Sequence, residues 1–519
     1  MKDAEDQKMK YFSSNFFIFL PILLAFFFML SAGIFDLDEG AFASTSLQML
    51  LDQQYLIPYI GETARLEKPI LSYWIQALSM TIFGINEVAL RLPSLIAGIF
   101  WIYAFGKFVS QRTESIKIFG IVSTFFSVPA LFLISFVATA DAFLNLFLTL
   151  LMISLYKFYE SNDKKYIDTA AIYLSLGFLT KGLTVIAIGG LVFFIFLLVR
   201  NKLAVFFRAI TNINPWLIFI VLGLSWFIFL YLRLGPDAVN YLLFGQSFGR
   251  FYQSFENHSG PIYYYILLLP FLLMPLSLNF VRGISQQNFK NSALDQFLLV
   301  WFLVVLIFFS FSTTKLPHYL VYGLTPAAYF VEKALQSRNE KANLLFPTIF
   351  TTLFWCICLT LPYILHYVVS LNPTFDINLE ILEAFKSDHL YKFYILTFLL
   401  LLFLLFIFGR NNLKVGLIER LSSSAFILLL SFSILPMIHS STQNDIKKLG
   451  EYAKDDYREI SMYKINKPSF AFYAGKRANR GLREDSLILT RIDKVEEFRF
   501  NYEILKASGN YLIITIRTD

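Results

Sequence analysis

Residues 398–408 read Phe-Leu-Leu-Leu-Leu-Phe-Leu-Leu-Phe-Ile-Phe. A helix drawn through this run is apolar on every face. A strand of a membrane barrel would instead alternate lipid-facing and lumen-facing residues over about ten positions, and no such alternation is present. With its flanks the run fills 390–409, and roughly 20 apolar residues carry a helix across a hydrocarbon core of about 30 Å. Working outward, comparable blocks recur at 12–33, 88–109, 117–135, 140–158, 166–180, 183–199, 213–232, 260–281, 294–312, 316–333, 344–369 and 420–438. The sequence therefore predicts a polytopic α-helical membrane protein of about thirteen transmembrane helices.

Composition agrees. Apolar residues make up 56% of the chain, with 59 Phe, while charged residues reach 16%. Soluble domains carry about 25% charged residues. The first block follows Lys2, Lys8 and Lys10, but its apolar run exceeds an ordinary signal-peptide core and no clear small-residue cleavage site follows, so it reads as a retained helix. The only cysteines, Cys356 and Cys358, lie two apart on one predicted helix and point in different directions, which excludes a disulfide framework.

Lys and Arg mark cytoplasmic loops. With the N-terminus inside, the six inner loops hold Arg112 and Lys117; Lys157, Lys164 and Lys165; Arg200, Lys202 and Arg208; Arg282 and Lys290; Lys333, Arg338 and Lys341; Arg410, Lys414 and Arg420. The opposite connecting loops hold only Arg65, Lys68, Lys181, Arg233, Arg250, Lys315 and Lys386. The N-terminus is thus expected in the cytoplasm of a bacterial-type inner membrane. The net charge of +7 follows from this bias and implies no nucleic-acid partner. Two domains are expected: 1–439 in the membrane, and a small α/β domain over 440–519 on the outer, periplasmic side. Within the tail, Ser469–Tyr473, Ser486–Ile492 and Tyr511–Ile516 read as β-like runs. The 34–87 loop, also outside, carries two short amphipathic stretches at 44–54 and 70–83 that suit the membrane interface.

The outer face also gathers the ionisable residues. Asp36, Asp38 and Glu39 follow the first helix; Glu67-Lys68-Pro69 and Tyr73-Trp74 come later in the same loop, with Arg91 just beyond. Asp141, Lys181, Arg250, His258 and Lys315-Leu316-Pro317-His318-Tyr319 fall at outer helix ends or turns. Ionisable groups at membrane depth are costly and usually line a cavity. Acids there can orient or deprotonate an attacking hydroxyl, and cations can hold a phosphate as its charge develops. Locally, Glu39 suits a helix cap, Arg91 an ion pair with Glu87 at spacing four, His318 a helix end, and Tyr73 and Trp74 interface anchors.

At these residues the chain resembles the GT-C glycosyltransferases, specifically family 39 and the lipid A aminoarabinose transferases. The resemblance rests on Asp38-Glu39, then Glu67-Lys68-Pro69 with Tyr73-Trp74, then Lys315-Leu316-Pro317-x-Tyr319, in that order. It implies an inverting glycosyltransferase that takes a sugar from a polyprenyl-phosphate donor to a lipid, protein or glycan acceptor. Asp38 would be the catalytic carboxylate, with Asp141 a second acid and Glu39 beside it. Lys68, Arg250, Tyr319 and Lys315 would hold the donor phosphate, and Lys181, Phe42 and Tyr73 would line the cavity.

Two departures stand out. The aminoarabinose transferases bind a metal through the Glu of Glu-Lys-Pro, here Glu67, and a His shortly before the Arg. Phe244 to Phe248 supply no His before Arg250, and His258 lies eight residues beyond it, so a divalent metal stays open as a cofactor. Phe42 stands where the family usually has Tyr, which removes a hydroxyl from the site. The alternative reading is a transporter or flippase of lipid-linked sugars. Such proteins commonly carry internal repeats and broken midplane helices, and the sequence displays neither. A structural assembly subunit would leave the acidic and basic motifs unexplained.

Overall fold

The computed structural model describes residues 18–246, 249, 259–337, 345–371, 377, 379–408, 415–495 and 501–516. Among the described residues, five helices are long and apolar enough to cross a membrane: Glu87–Ser110, Asp141–Ser161, Ala293–Phe311, Ile349–Leu371 and Ile418–Thr442. Three further pairs of helices pass the same test when each bent pair is taken as one span. Ile18–Ser31, Ile118–Ser127, Leu183–Val199 and Ser225–Leu234 are shorter apolar helices.

Several expected spans are interrupted at identifiable residues. The 117–135 block divides into Ile118–Ser127 and Pro129–Ile134, since Pro129 brings no N–H to continue the ladder. The 260–281 block is not one straight span. It comprises Tyr264–Leu273 and Ser277–Ser285, bent by 107° around Pro275. The 316–333 block opens with a tight 3₁₀ segment, Pro317–Gly323, before the helix Thr325–Ser337.

The loop after the first helix is structured throughout. Helix Asp38–Asp52 is followed by a two-stranded hairpin, Tyr59–Ile60 with Thr63–Ala64, and then by helix Leu71–Phe83. The latter exposes Leu78, Ile82 and Phe83, an apolar edge suited to the membrane interface.

The tail builds a five-stranded sheet in the order Ala478–Arg480, Glu459–Met462, Ser486–Arg491, Tyr511–Ile516, Tyr502–Ser508. The first three strands are parallel and the last two pair antiparallel. Ser469–Tyr473, expected as β-like, lies instead in the helix Ser469–Ala474, every residue of which is buried. Periodicity does not distinguish a strand from a helix in so short an apolar run.

This tail domain is bound to the 34–87 segment. Ser469 donates from its amide and hydroxyl to the Asp36 carboxylate at 2.9 and 2.6 Å. The Tyr473 hydroxyl accepts the Ile34 amide at 2.8 Å. Arg483 pairs with Glu62 at 2.7 Å, and Arg477 with Asp52. Gly40 is what allows the close approach: a Cβ there would lie 1.9 Å from Asp36 Oδ1 and 2.9 Å from the Ser469 amide.

Candidate functional site

The first turn of the Asp38–Asp52 helix separates its two acids. Successive helical residues point about 100° apart, so Asp38 is exposed while Glu39 is buried. No hydrogen bond or ion pair engages Asp38 among the described residues.

Glu39 is fully engaged. It accepts Arg91 Nε at 2.8 Å and Nη2 at 2.7 Å, and the amides of Ala138 and Phe35 each at 3.0 Å. Burial pushes its carboxyl up, but the Arg91 guanidinium and these hydrogen bonds outweigh burial and hold it below the ordinary range. Arg91 also donates to the carbonyls of Met29, Ala32 and Gly33. Glu39 is therefore neither a cap nor a reacting carboxylate, and Arg91 takes Glu39 in place of Glu87. Together they fasten the end of the first helix to the Glu87–Ser110 helix.

Lys68 and Lys181 line one open cleft, together with Glu67, Gly182, Leu242, Phe309, Tyr319 and Tyr322. Lys181 ends one helix, and Gly182, at φ +62°, makes the reversal into Leu183–Val199. A side chain is strained at such a φ, which accounts for glycine in Thr180-Lys181-Gly182. Lys181 Nζ donates to Asp141 Oδ1 at 2.5 Å and also to the Tyr322 hydroxyl, which itself donates to Asp141 Oδ1 at 2.5 Å. Thr139 supplies a hydroxyl to the other Asp141 oxygen at 2.8 Å. The ammonium also sits 5.5 Å from the Tyr319 ring and 5.0 Å from the Tyr322 ring. Asp141 thus serves as the fixed counter-ion of Lys181. His318 lies within electrostatic reach of Asp141, Lys181, Asp38 and Lys68, so the chain's distant acidic and basic motifs converge here.

Other expected residues are placed differently. Lys315 does not face the cleft: its ammonium donates to the carbonyls of Phe309, Ser310 and Ser312 at 3.1, 2.6 and 2.5 Å. It closes the C-terminal end of Ala293–Phe311, where carbonyls lack helical partners. Tyr73 is completely buried and stacks on Phe42 with ring centroids 4.9 Å apart, so it is not an interface anchor. Arg250 and His258 lie outside the described residues.

Two residues of the site were given no site role by the sequence reading. Tyr322 is three positions after Tyr319 in the 3₁₀ segment, a spacing that brings both rings to one face. Arg65, just after the hairpin, is buried, bridges Glu67 at 3.0 Å and lies over the Phe42 and Tyr73 rings. Glu67 pairs with Arg65 at 3.0 Å, no three His, Cys, Asp or Glu gather among the described residues, and His258 lies outside them.

Residues 67–232 match the family described as dolichyl-phosphate-mannose-protein mannosyltransferase. Over nearly the whole length the chain superposes on ArnT from Cupriavidus metallidurans bound to undecaprenyl phosphate, with a TM-score of 0.81, 15% identity, and 96% of this chain and 97% of that one covered. The chain shares the fold of that ArnT structure. It is a multi-pass membrane protein. The undecaprenyl phosphate-alpha-4-amino-4-deoxy-L-arabinose arabinosyl transferase of Wigglesworthia glossinidia brevipalpis is 27% identical over 320 residues, which cover 59% of this chain and 55% of that protein. Its counterpart from Proteus mirabilis is 27% identical over 347 residues, covering 63% of this chain and 60% of that protein. The chain thus spans little more than half the length of these curated relatives.

Proposed function

We propose that the protein is an inverting glycosyltransferase. It moves a sugar from a polyprenyl-phosphate donor to a lipid acceptor at the outer face of a bacterial inner membrane. The observation that carries this reading is the shared cleft of Lys68, Lys181 and Tyr319, with His318 in electrostatic reach of both lysines and of the exposed Asp38 carboxylate. The names of the relatives support undecaprenyl phosphate as the donor lipid.

In this reading Lys68 meets the donor phosphate, and Lys181, oriented by Asp141 and Tyr322, provides the second positive charge. The acceptor hydroxyl attacks the anomeric carbon opposite the departing phosphate, and Asp38 takes its proton. The carbon–oxygen bond to the lipid phosphate breaks as the new glycosidic bond forms, and the phosphate leaves with the electron pair, its charge held by the lysines. The about thirteen spans, the cytoplasmic N-terminus and a periplasmic 440–519 domain belong to the same proposal, supported by the six basic inner loops.

Donor binding tests it. Hydrogen bonds to charged groups contribute roughly 1.5–3 kcal/mol, so Lys68→Ala should weaken undecaprenyl phosphate binding by about ten- to hundredfold. Unchanged affinity for that lipid in detergent would remove Lys68 from the donor site. Movement of the donor across liposomes without sugar transfer would favour a flippase.

A further inference from the structure

Two buried donors within electrostatic reach of Asp38 go without a partner among the described residues: Arg65 Nη1 and the Tyr73 hydroxyl. Arg65 is 7% exposed and Tyr73 fully enclosed. The guanidinium carbon lies 5.2 Å from the Phe42 ring centroid and 5.8 Å from that of Tyr73, and those rings stack on each other. Arg65 is therefore held by aromatic surface, with only its Nη2 arm tied, to Glu67 at 3.0 Å. The charge of Asp38 reaches both Arg65 and Tyr73.

Buried donors are nearly always satisfied in native proteins. Here two occur together, one of them cationic. A guanidinium is planar and presents its donors as a fork matched to carboxylate and phosphate. The idle arm and a neighbouring phenol thus make a two-donor set for an oxyanion. Burial pushes the Tyr73 phenol up to about 12, so it remains a donor across the physiological range.

We propose that Arg65 Nη1 and the Tyr73 hydroxyl form a recognition subsite for an anionic oxygen group, carboxylate or phosphate, carried into the site next to Asp38. The subsite is separate from the Lys68 and Lys181 grip on the donor phosphate. It makes Arg65 a specificity-determining residue, selecting substrates with a negative group near the reacting centre. This rests on the glycosyltransferase reading above. The anion belongs either to the transferred sugar or to the acceptor.

The test uses the purified full chain in detergent and two matched probe pairs. One compares short polyprenyl-phosphate glucuronate with polyprenyl-phosphate glucose; the other compares bisphosphorylated lipid A with its dephosphorylated form. Dissociation constants are measured for wild type, Arg65→Gln and Tyr73→Phe, with undecaprenyl phosphate alone as a reference. The wild type should favour the anionic member of one pair by about ten- to hundredfold, and the pair that responds identifies which substrate carries the anion. Arg65→Gln should abolish that preference. Tyr73→Phe, which keeps the stack on Phe42 and so retains the fold, should reduce it severalfold. Undecaprenyl phosphate should bind all three alike. No preference in either pair, or a preference that survives both substitutions, overturns the subsite and leaves the two donors to ordered water. Loss of undecaprenyl phosphate binding by the wild type would instead count against the glycosyltransferase reading itself.

Discussion

Asp38 and Glu39 are adjacent acids with opposite surroundings, and the difference predicts opposite consequences of mutation. Glu39 shares a buried ion pair with Arg91, each side chain 2% exposed. Removing one member leaves a buried charge uncompensated, which typically costs about 3–5 kcal/mol. Glu39→Ala should therefore lower the thermal midpoint in detergent sharply. Asp52→Ala, which breaks a pair whose Arg477 side chain is 49% exposed, should cost about 0–1 kcal/mol. Equal midpoints for the two variants would contradict the structural role given to Glu39. None of this was readable from the pair Asp38-Glu39, because the deciding partner lies 52 positions away. The same holds for Lys315, whose carbonyl partners depend on how the helix end folds back. Asp141 and Lys181 stood out in the sequence because ionisable groups at membrane depth are costly and usually line a cavity. That they pair with each other was not.

Among the elements, the contact between the first outer loop and the Ser469–Ala474 helix has a pH dependence of definite sign. Burial pushes the Asp36 carboxyl up to about 6 from an ordinary 3.8, against the lowering effect of its Ser469 hydrogen bonds. A carboxyl with a higher pKa in the folded state binds its proton more tightly there. Its contribution is then fully present at low pH and is lost as pH rises from about 4 to about 6, at up to about 1.4 kcal/mol per unit. Hydrogen exchange across Ser469–Ala474 should quicken through that window. Asp36→Asn, which keeps the shape and an acceptor, should flatten the response; an identical profile would show that Asp36 does not govern the contact. Element type was legible where β-branched residues run together, as in the strand Tyr511–Ile516. The strands Glu459–Met462, Ala478–Arg480 and Tyr502–Ser508 were missed, being short or largely polar, so that their pairing is set by tertiary contacts.

For the whole molecule, hydrophobic blocks made the membrane class plain, while the breaks within them, at Pro129, at Pro275 and at Pro317, depend on local backbone chemistry that a block average conceals. Orientation is open to direct measurement. Single cysteines at Glu62 and Tyr457, in a background lacking Cys356 and Cys358, occupy exposed positions on the 34–87 segment and the tail domain. A membrane-impermeant thiol reagent should label both from outside intact cells. Labelling only after the membrane is opened would reverse the assigned topology.

The central claim is that the outer cleft transfers a sugar with Asp38 as base, and transfer by Asp38→Asn tests it most directly. The substitution keeps the side-chain shape and removes the proton acceptor. Loss of a general base typically costs roughly 10²–10⁴-fold. With a hydroxyl acceptor, folded Asp38→Asn should bind undecaprenyl phosphate like the wild type and transfer sugar at that reduced rate. Full-rate transfer by the same protein would contradict the account.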